Sequence, residues 1–243
     1  MRRILLVFCA AAVSTGAVAS TAAANHSWGG YHWARTANPF TVQVADNVSP
    51  AWDSYLRTAA TDWSADTAGN PLNATVVAGA GKGKCGAING RVEVCNGAYG
   101  NNGWLGLAQI WVSSSRHITR GTAKMNDTYF NTSKYNTAAW RGSVMCQEVG
   151  HTWGLDHQDE SGADFHTCMD YATNPDADNM HPNRHDYEEL AIIYSHVDAT
   201  TTIGRAAASS SVRIVRVDRK RSSLIECRFA DGSRKVTFIV WAR

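Results

Sequence analysis

Between Gln147 and His157 the chain reads Gln-Glu-Val-Gly-His-Thr-Trp-Gly-Leu-Asp-His. Residues four apart share one face of a helix, so Gln147 and His151 point the same way with Glu148 beside them. Gly154 can take the left-handed backbone that ends a helix, which lets the chain double back and carry His157 towards His151. Two imidazoles converging beside a carboxylate suit a catalytic zinc: nitrogen ligands, an open position for water and a general base next to it. The bland alternative is a core helix with two surface histidines. Taken singly, His117, His166, His181, His185 and His196 read as loop or helix-surface residues rather than ligands.

The same letters carry a family resemblance. Gln147-Glu148-x-x-His151-x-x-Gly154-x-x-His157, followed by Cys168-Met169-Asp170-Tyr171, resembles the metzincin zinc endopeptidases (matrixin, snapalysin and astacin-like). Their signature is H-E-x-x-H-x-x-G-x-x-H plus a Met-turn. The resemblance implies one catalytic Zn2+, a peptide or protein substrate, and hydrolysis by a metal-activated water. His151 and His157 would bind the metal, and Glu148 would take the water's proton and pass it to the leaving amine. Met169 would support the ligands from below, and the Tyr171 hydroxyl would reach the metal site or the developing oxyanion. Gln147 stands where the family has its first histidine. Three outcomes stay open. The Gln147 amide oxygen is the third ligand, at some cost in affinity since oxygen suits zinc less well than imidazole. Or His166 completes the set. Or zinc is lost, leaving a catalytically weak or inactive metzincin-like protein that binds extended peptides.

The elements needed to hold these residues are legible. Alternation predicts strands at 40–44, 72–78, 90–96 and 105–112, with a short one near 122–125. Ser49-Pro50 reads as the start of a helix over 50–66, with Ser49 as N-cap. The helix bearing the motif spans 137–153, and Asn183 caps a last helix over 185–196. With the resemblance, this order implies an α+β fold. It would be a metzincin-like zincin domain with a twisted, mostly parallel sheet of about five strands, two long helices, the Met-turn and a C-terminal helix. In that family the fourth strand is the sheet edge that pairs with substrate, which would make 105–112 the peptide-binding edge. Three further alternating stretches after 212, with a turn at Asp231-Gly232, predict a small C-terminal β appendage.

Residues 1–24 read as a signal peptide: Arg2 and Arg3, an apolar run, then small residues. The domain is expected over 25–198, a linker over 199–211 and the basic appendage over 212–243. A secreted, extracellular location follows, with no membrane span and no nucleic-acid partner. Export makes disulfides expected among Cys85, Cys95, Cys146, Cys168 and Cys227. The favoured pairs are Cys85–Cys95 and Cys146–Cys168, although spacing does not fix them and Cys227 is left over. Arg205 to Arg243 holds ten basic and three acidic residues, a balance of +7 inside a chain whose net charge is +2. A soluble tail is the plain reading, and contact with an anionic surface the sharper one. Asp176 and Asp178 offer a possible Ca2+ loop on composition alone.

Overall fold

The computed structural model describes residues 26–81, 85–171, 174–205 and 213–242. The predicted signal peptide and residues 206–211 of the predicted linker lie outside them.

Among the described residues, nine strands form one sheet. They are β1 (His32–Trp33), β2 (Phe40–Asn47), β3 (Leu72–Ala78), β4 (Val92–Gly97), β5 (Trp104–Val112), β6 (His117–Asn126), β7 (Ile214–Arg221), β8 (Leu224–Phe229) and β9 (Arg234–Trp241). Their order is β3-β2-β4-β6-β5-β9-β8-β7, and the short β1 pairs with the start of β6. One half is parallel, β3-β2-β4-β6, and the other half, from β5 outwards, is antiparallel. The helices are α1 (Asp53–Trp63), α2 (Asp127–Phe130), α3 (Ala138–His151) and α4 (Arg184–Ile193).

Several sequence expectations are revised. The predicted short fifth strand is the ten-residue β6, whose first residues are held by β1. Ser49 does not cap α1. Its amide donates to Asn96 Oδ1 and its hydroxyl accepts from Asn96 Nδ2, so the helix starts later, after Trp52. Most consequentially, 105–112 is not a free edge. β5 pairs with β6 on one side and with β9 on the other, from Trp104↔Trp241 to Val112↔Arg234. The strands expected as an appendage are therefore the outer half of the same sheet. Val236 and Phe238 of β9 and Leu224 of β8 are fully buried. At about 1.5–3 kcal/mol for each large side chain removed from water, those contacts favour a docked segment over a dangling one. The stretch read as linker is also docked as far as it is described. Thr202 bonds Ala34 and Ile118, and Gly204 bonds Gly90.

α3 lies across the sheet against β5, β6 and β9, with α1 alongside it. Thr137 caps its start by accepting from the Trp140 amide. Its last carbonyls are buried, and a buried helix end needs partners. The Trp33 indole donates to Thr152 O, and the Tyr194 hydroxyl donates to Trp153 O. The Trp63 indole of α1 donates to Cys146 O in mid-helix. Both expected disulfides are present, Cys85–Cys95 and Cys146–Cys168. The second ties α3 to the loop carrying Met169. Cys227 is unpaired.

Asn183 caps α4 in a reciprocal box with Asp186, as its position before the apolar face predicts. Replacing Asn183 with Ala should cost about 0.5–2 kcal/mol, read as a lower urea midpoint with an unchanged slope.

Candidate metal centre

Past the end of α3 the chain turns at Gly154, whose φ is 100°. A Cβ there would lie 2.1 Å from the Tyr31 carbonyl oxygen, so only glycine fits. The N-terminal arm holds the turn: Trp28 donates to Gly154 O, and Asp156 donates to His26 O. The reversal brings His157 back over His151, with Nε2 facing Nε2 at 3.1 Å and the rings edge to face.

The other ring nitrogens set the tautomers. His151 Nδ1 lies 3.0 Å from the Leu155 carbonyl, which can only accept. His157 Nδ1 lies 2.7 Å from Glu160 Oε1, and Glu160 also accepts from the Ser223 hydroxyl. In the neutral rings each Nδ1 then carries the proton, which leaves the two Nε2 atoms facing one another as acceptors. Two nitrogens bound to one tetrahedral zinc at ~2.0–2.1 Å sit about 3.3 Å apart. The pair therefore fits a metal ion with a small adjustment.

Gln147 is buried on the same helix face, and its Nε2 donates to the Asp170 carbonyl at 2.9 Å. Because that carbonyl can only accept, the nitrogen end of the amide is fixed there, and the oxygen is the end with lone pairs to offer. His166 does not join the pair. Its side chain is 64 % exposed and turns to Asp164 and Asp178. Asp176 accepts from the amides of Asp178 and Asn179, a turn contact.

Glu148 is fully buried, and neither carboxylate oxygen makes a sound hydrogen bond. Burial pushes its carboxyl well above the usual range, and the nearby Ala108 amide offsets only part of this. It fits because Gly106 of β5 has no side chain: a Cβ there would lie 2.3 Å from Glu148 Oε1. Met169 is buried beneath α3, where its sulfur would lie 2.6 Å from a Cβ added at Gly150.

Tyr171 is placed differently from what the resemblance implies. Its ring stands 5.0 Å from that of His157, but its hydroxyl is engaged by β9, donating to Ile239 O and accepting from the Trp241 amide at 2.8 Å. Phe238 of β9 stacks on His151 at 4.2 Å between centroids, with 5° between planes. The C-terminal strand forms the roof of the site. Phe238, Ser223 and Glu160 had no sequence signal, because their roles depend on a pairing between strands far apart in the chain.

No family model and no curated protein matches the chain. Among solved structures it is similar to that of myroilysin, at 12 % identity and a TM-score of 0.38, over 67 % of this chain and 96 % of that one. At that score the likeness carries no weight for fold or activity, and the reading rests on geometry.

Burial raises the Asp170 carboxyl from its ordinary 3.8 to about 6, helped by Asp186, Asp164 and Asp159 and opposed by the Phe165 amide. The folded chain then binds more protons than the unfolded one between those values, so this group's contribution to stability falls as pH rises through that window. Asp170→Asn should flatten the dependence of the urea midpoint on pH there and raise the midpoint at pH 7. Gly154→Ala should lower stability by ~1–3 kcal/mol or more, measured in the same way.

Proposed function

We propose that the chain is a secreted zinc-dependent endopeptidase of metzincin type, with Gln147 as the third protein ligand and β9 as a latency strap. The observation that carries this reading is the facing pair of Nε2 atoms on His151 and His157, each aimed by an acceptor on its Nδ1. The resemblance in sequence assigns that pair to zinc, and the spacing of the two nitrogens supports the assignment.

When bound, zinc would polarise the scissile carbonyl and acidify a water molecule. The residues supply the rest. His151 and His157 would hold the ion through nitrogen, and Gln147 through its amide oxygen. Leu155 O and Glu160 keep the rings aimed. Glu148 accepts the water's proton and passes it to the leaving amine; a divalent cation beside it favours the carboxylate that burial alone disfavours. The paired cysteines suit an oxidising compartment. No described helix is long and apolar enough to cross a membrane. The exposed residues Arg216, Arg219 and Lys220 on β7 are the part suited to an anionic surface.

β9 lies where an extended substrate would pair with β5, and it covers His151 and holds Tyr171. Its release would free the edge, the ring face and the tyrosine hydroxyl together. The alternative, an inactive protein that captures peptides along β5, meets an edge already filled.

Three measurements test this. Purified mature protein should contain zinc, and Glu148→Gln should keep it while hydrolysis of a peptide falls by about 10²–10⁴-fold. Zinc-free protein, or equal rates in the variant, would sink the proposal. Gln147→His should hold zinc against a higher chelator concentration than the parent. If it instead creates activity that the parent lacks altogether, the inactive reading is correct. A chain ending at Arg205, folded by circular dichroism, should cleave an extended peptide at least tenfold faster than the full chain, and equal rates would remove the strap.

A further inference from the structure

A second group of ligand-type side chains lies away from the His151–His157 pair. It draws on β1, the first residue of β6, and the segment after α4. His32 and His117 are direct register partners in the parallel β1–β6 pairing. His196 and Asp198 come from the chain just beyond α4. His32, His117 and Asp198 each offer an atom within 4.8 Å of the other two.

Asp198 Oδ1 is the common neighbour of three imidazole rings. Asp198 Oδ1 is 3.4 Å from His32 Nε2, 3.2 Å from His117 Nε2 and 3.8 Å from His196 Nε2. His196 Nε2 is 3.2 Å from His32 Nε2. Ligand atoms on one tetrahedral zinc-type ion, at ~2.0–2.2 Å from it, lie about 3.3–3.5 Å apart. The His32–Asp198, His117–Asp198 and His196–His32 spacings match that range, and the His196–Asp198 spacing is wider, so His196, half exposed on the open side, has to swing inwards to complete a four-ligand set.

The surroundings favour an ion over a plain hydrogen-bonded cluster. His32 Nδ1 lies 3.0 Å from the Gly30 carbonyl, which can only accept, so in the neutral ring the proton is on Nδ1. Its Nε2 then presents a lone pair to Asp198 Oδ1, another acceptor, and to His196 Nε2. A cation between His32 Nε2 and Asp198 Oδ1 turns two opposed lone pairs into two bonds. The carboxylate is oriented as a ligand usually is: its other oxygen, Oδ2, accepts from the Arg35 amide and from Arg35 Nη1, both at 3.2 Å. Arg35 in turn bonds the Tyr194 carbonyl and stacks on the Tyr194 ring. The side chains of His32 and Asp198 are 10 % exposed and that of His196 is 52 % exposed, so the cup is walled on one side and open to entry on the other.

We propose that His32, His117, His196 and Asp198 form a structural site for a divalent transition metal of the zinc class, separate from the candidate catalytic centre. The ion staples three segments that are remote in sequence. They are the N-terminal arm, the start of the central strand and the chain leaving the last helix. By closing those segments it braces Trp33 and Tyr194, whose side chains satisfy the end of α3. All four ligands are supplied by the protein, so the site has no open position for substrate and serves stability.

The test is made in the full mature chain carrying His151→Ala and His157→Ala, which removes the candidate catalytic centre. The protein is dialysed against zinc, freed of excess metal and analysed by mass spectrometry for bound metal. One equivalent is expected, with loss of that equivalent in a further His196→Ala or His117→Ala variant. His196 is half exposed, so its replacement leaves the fold intact by circular dichroism. Cobalt in place of zinc should give the visible absorption of a four-coordinate nitrogen–oxygen site in the parent background and not in the variants. Chelation should lower the melting temperature of the parent background towards that of the His196→Ala variant. No bound metal in a folded parent background, or equal metal and equal melting temperatures in the His196→Ala variant, would overturn the proposal. Because the catalytic pair is absent from this background, the outcome is independent of the peptidase reading.

Discussion

The turn at Gly154 is the constraint on which the candidate centre depends. A helix alone can present Gln147 and His151, but it cannot bring a residue six positions further on back to the same point. That reversal needs a backbone at φ 100° and a carbonyl neighbour close enough to exclude any side chain. The N-terminal arm supplies the neighbour and bonds to both sides of the turn. The arm is therefore part of the structure that positions His157. Trp33 and Tyr194 extend the same logic by satisfying the carbonyls that the helix leaves buried at its end.

A second constraint comes from the opposite end of the chain. β9 completes the hydrogen bonding of β5, packs Phe238 on His151 and fixes the Tyr171 hydroxyl. Glu148 sits beneath this layer in a space that exists because residue 106 is glycine. A carboxyl buried without sound hydrogen bonds is costly, and a neighbouring cation is the simplest physical reason to keep one there. Under the proposed function, the tight roof and the buried acid beneath it describe a centre that is assembled but closed.

The histidines illustrate how spacing in sequence and spacing in space differ. His151 and His157 lie within one turn-helix unit, so their approach is a local matter of helical pitch and one glycine. His32, His117 and His196 are separated by most of the chain. His117 and His196 alone read as loop or helix-surface residues, and their approach to His32 appears only when β1 pairs in register with β6 and the chain beyond α4 folds across both. His166 is the converse case. It is close in sequence to the motif, yet it faces solvent beside Asp164 and Asp178.

By itself the sequence determined the local matters: the strands from alternation, α3 and α4 from periodicity and their caps, the left-handed glycine, and the order of the ligand-type residues. These depend on interactions a few residues apart, which repeat with the period of a helix or strand and so can be read along the chain. Tertiary structure alone decided that Ser49 bonds to Asn96 instead of capping α1, that β5 is internal, and that the basic C-terminal strands are a roof and not an appendage. Those outcomes depend on which surfaces meet across long stretches of chain, where burial of Leu224, Val236 and Phe238 favours docking over exposure. Their apolar alternation marks a strand, but a pattern of period two does not name the neighbour against which it will pair.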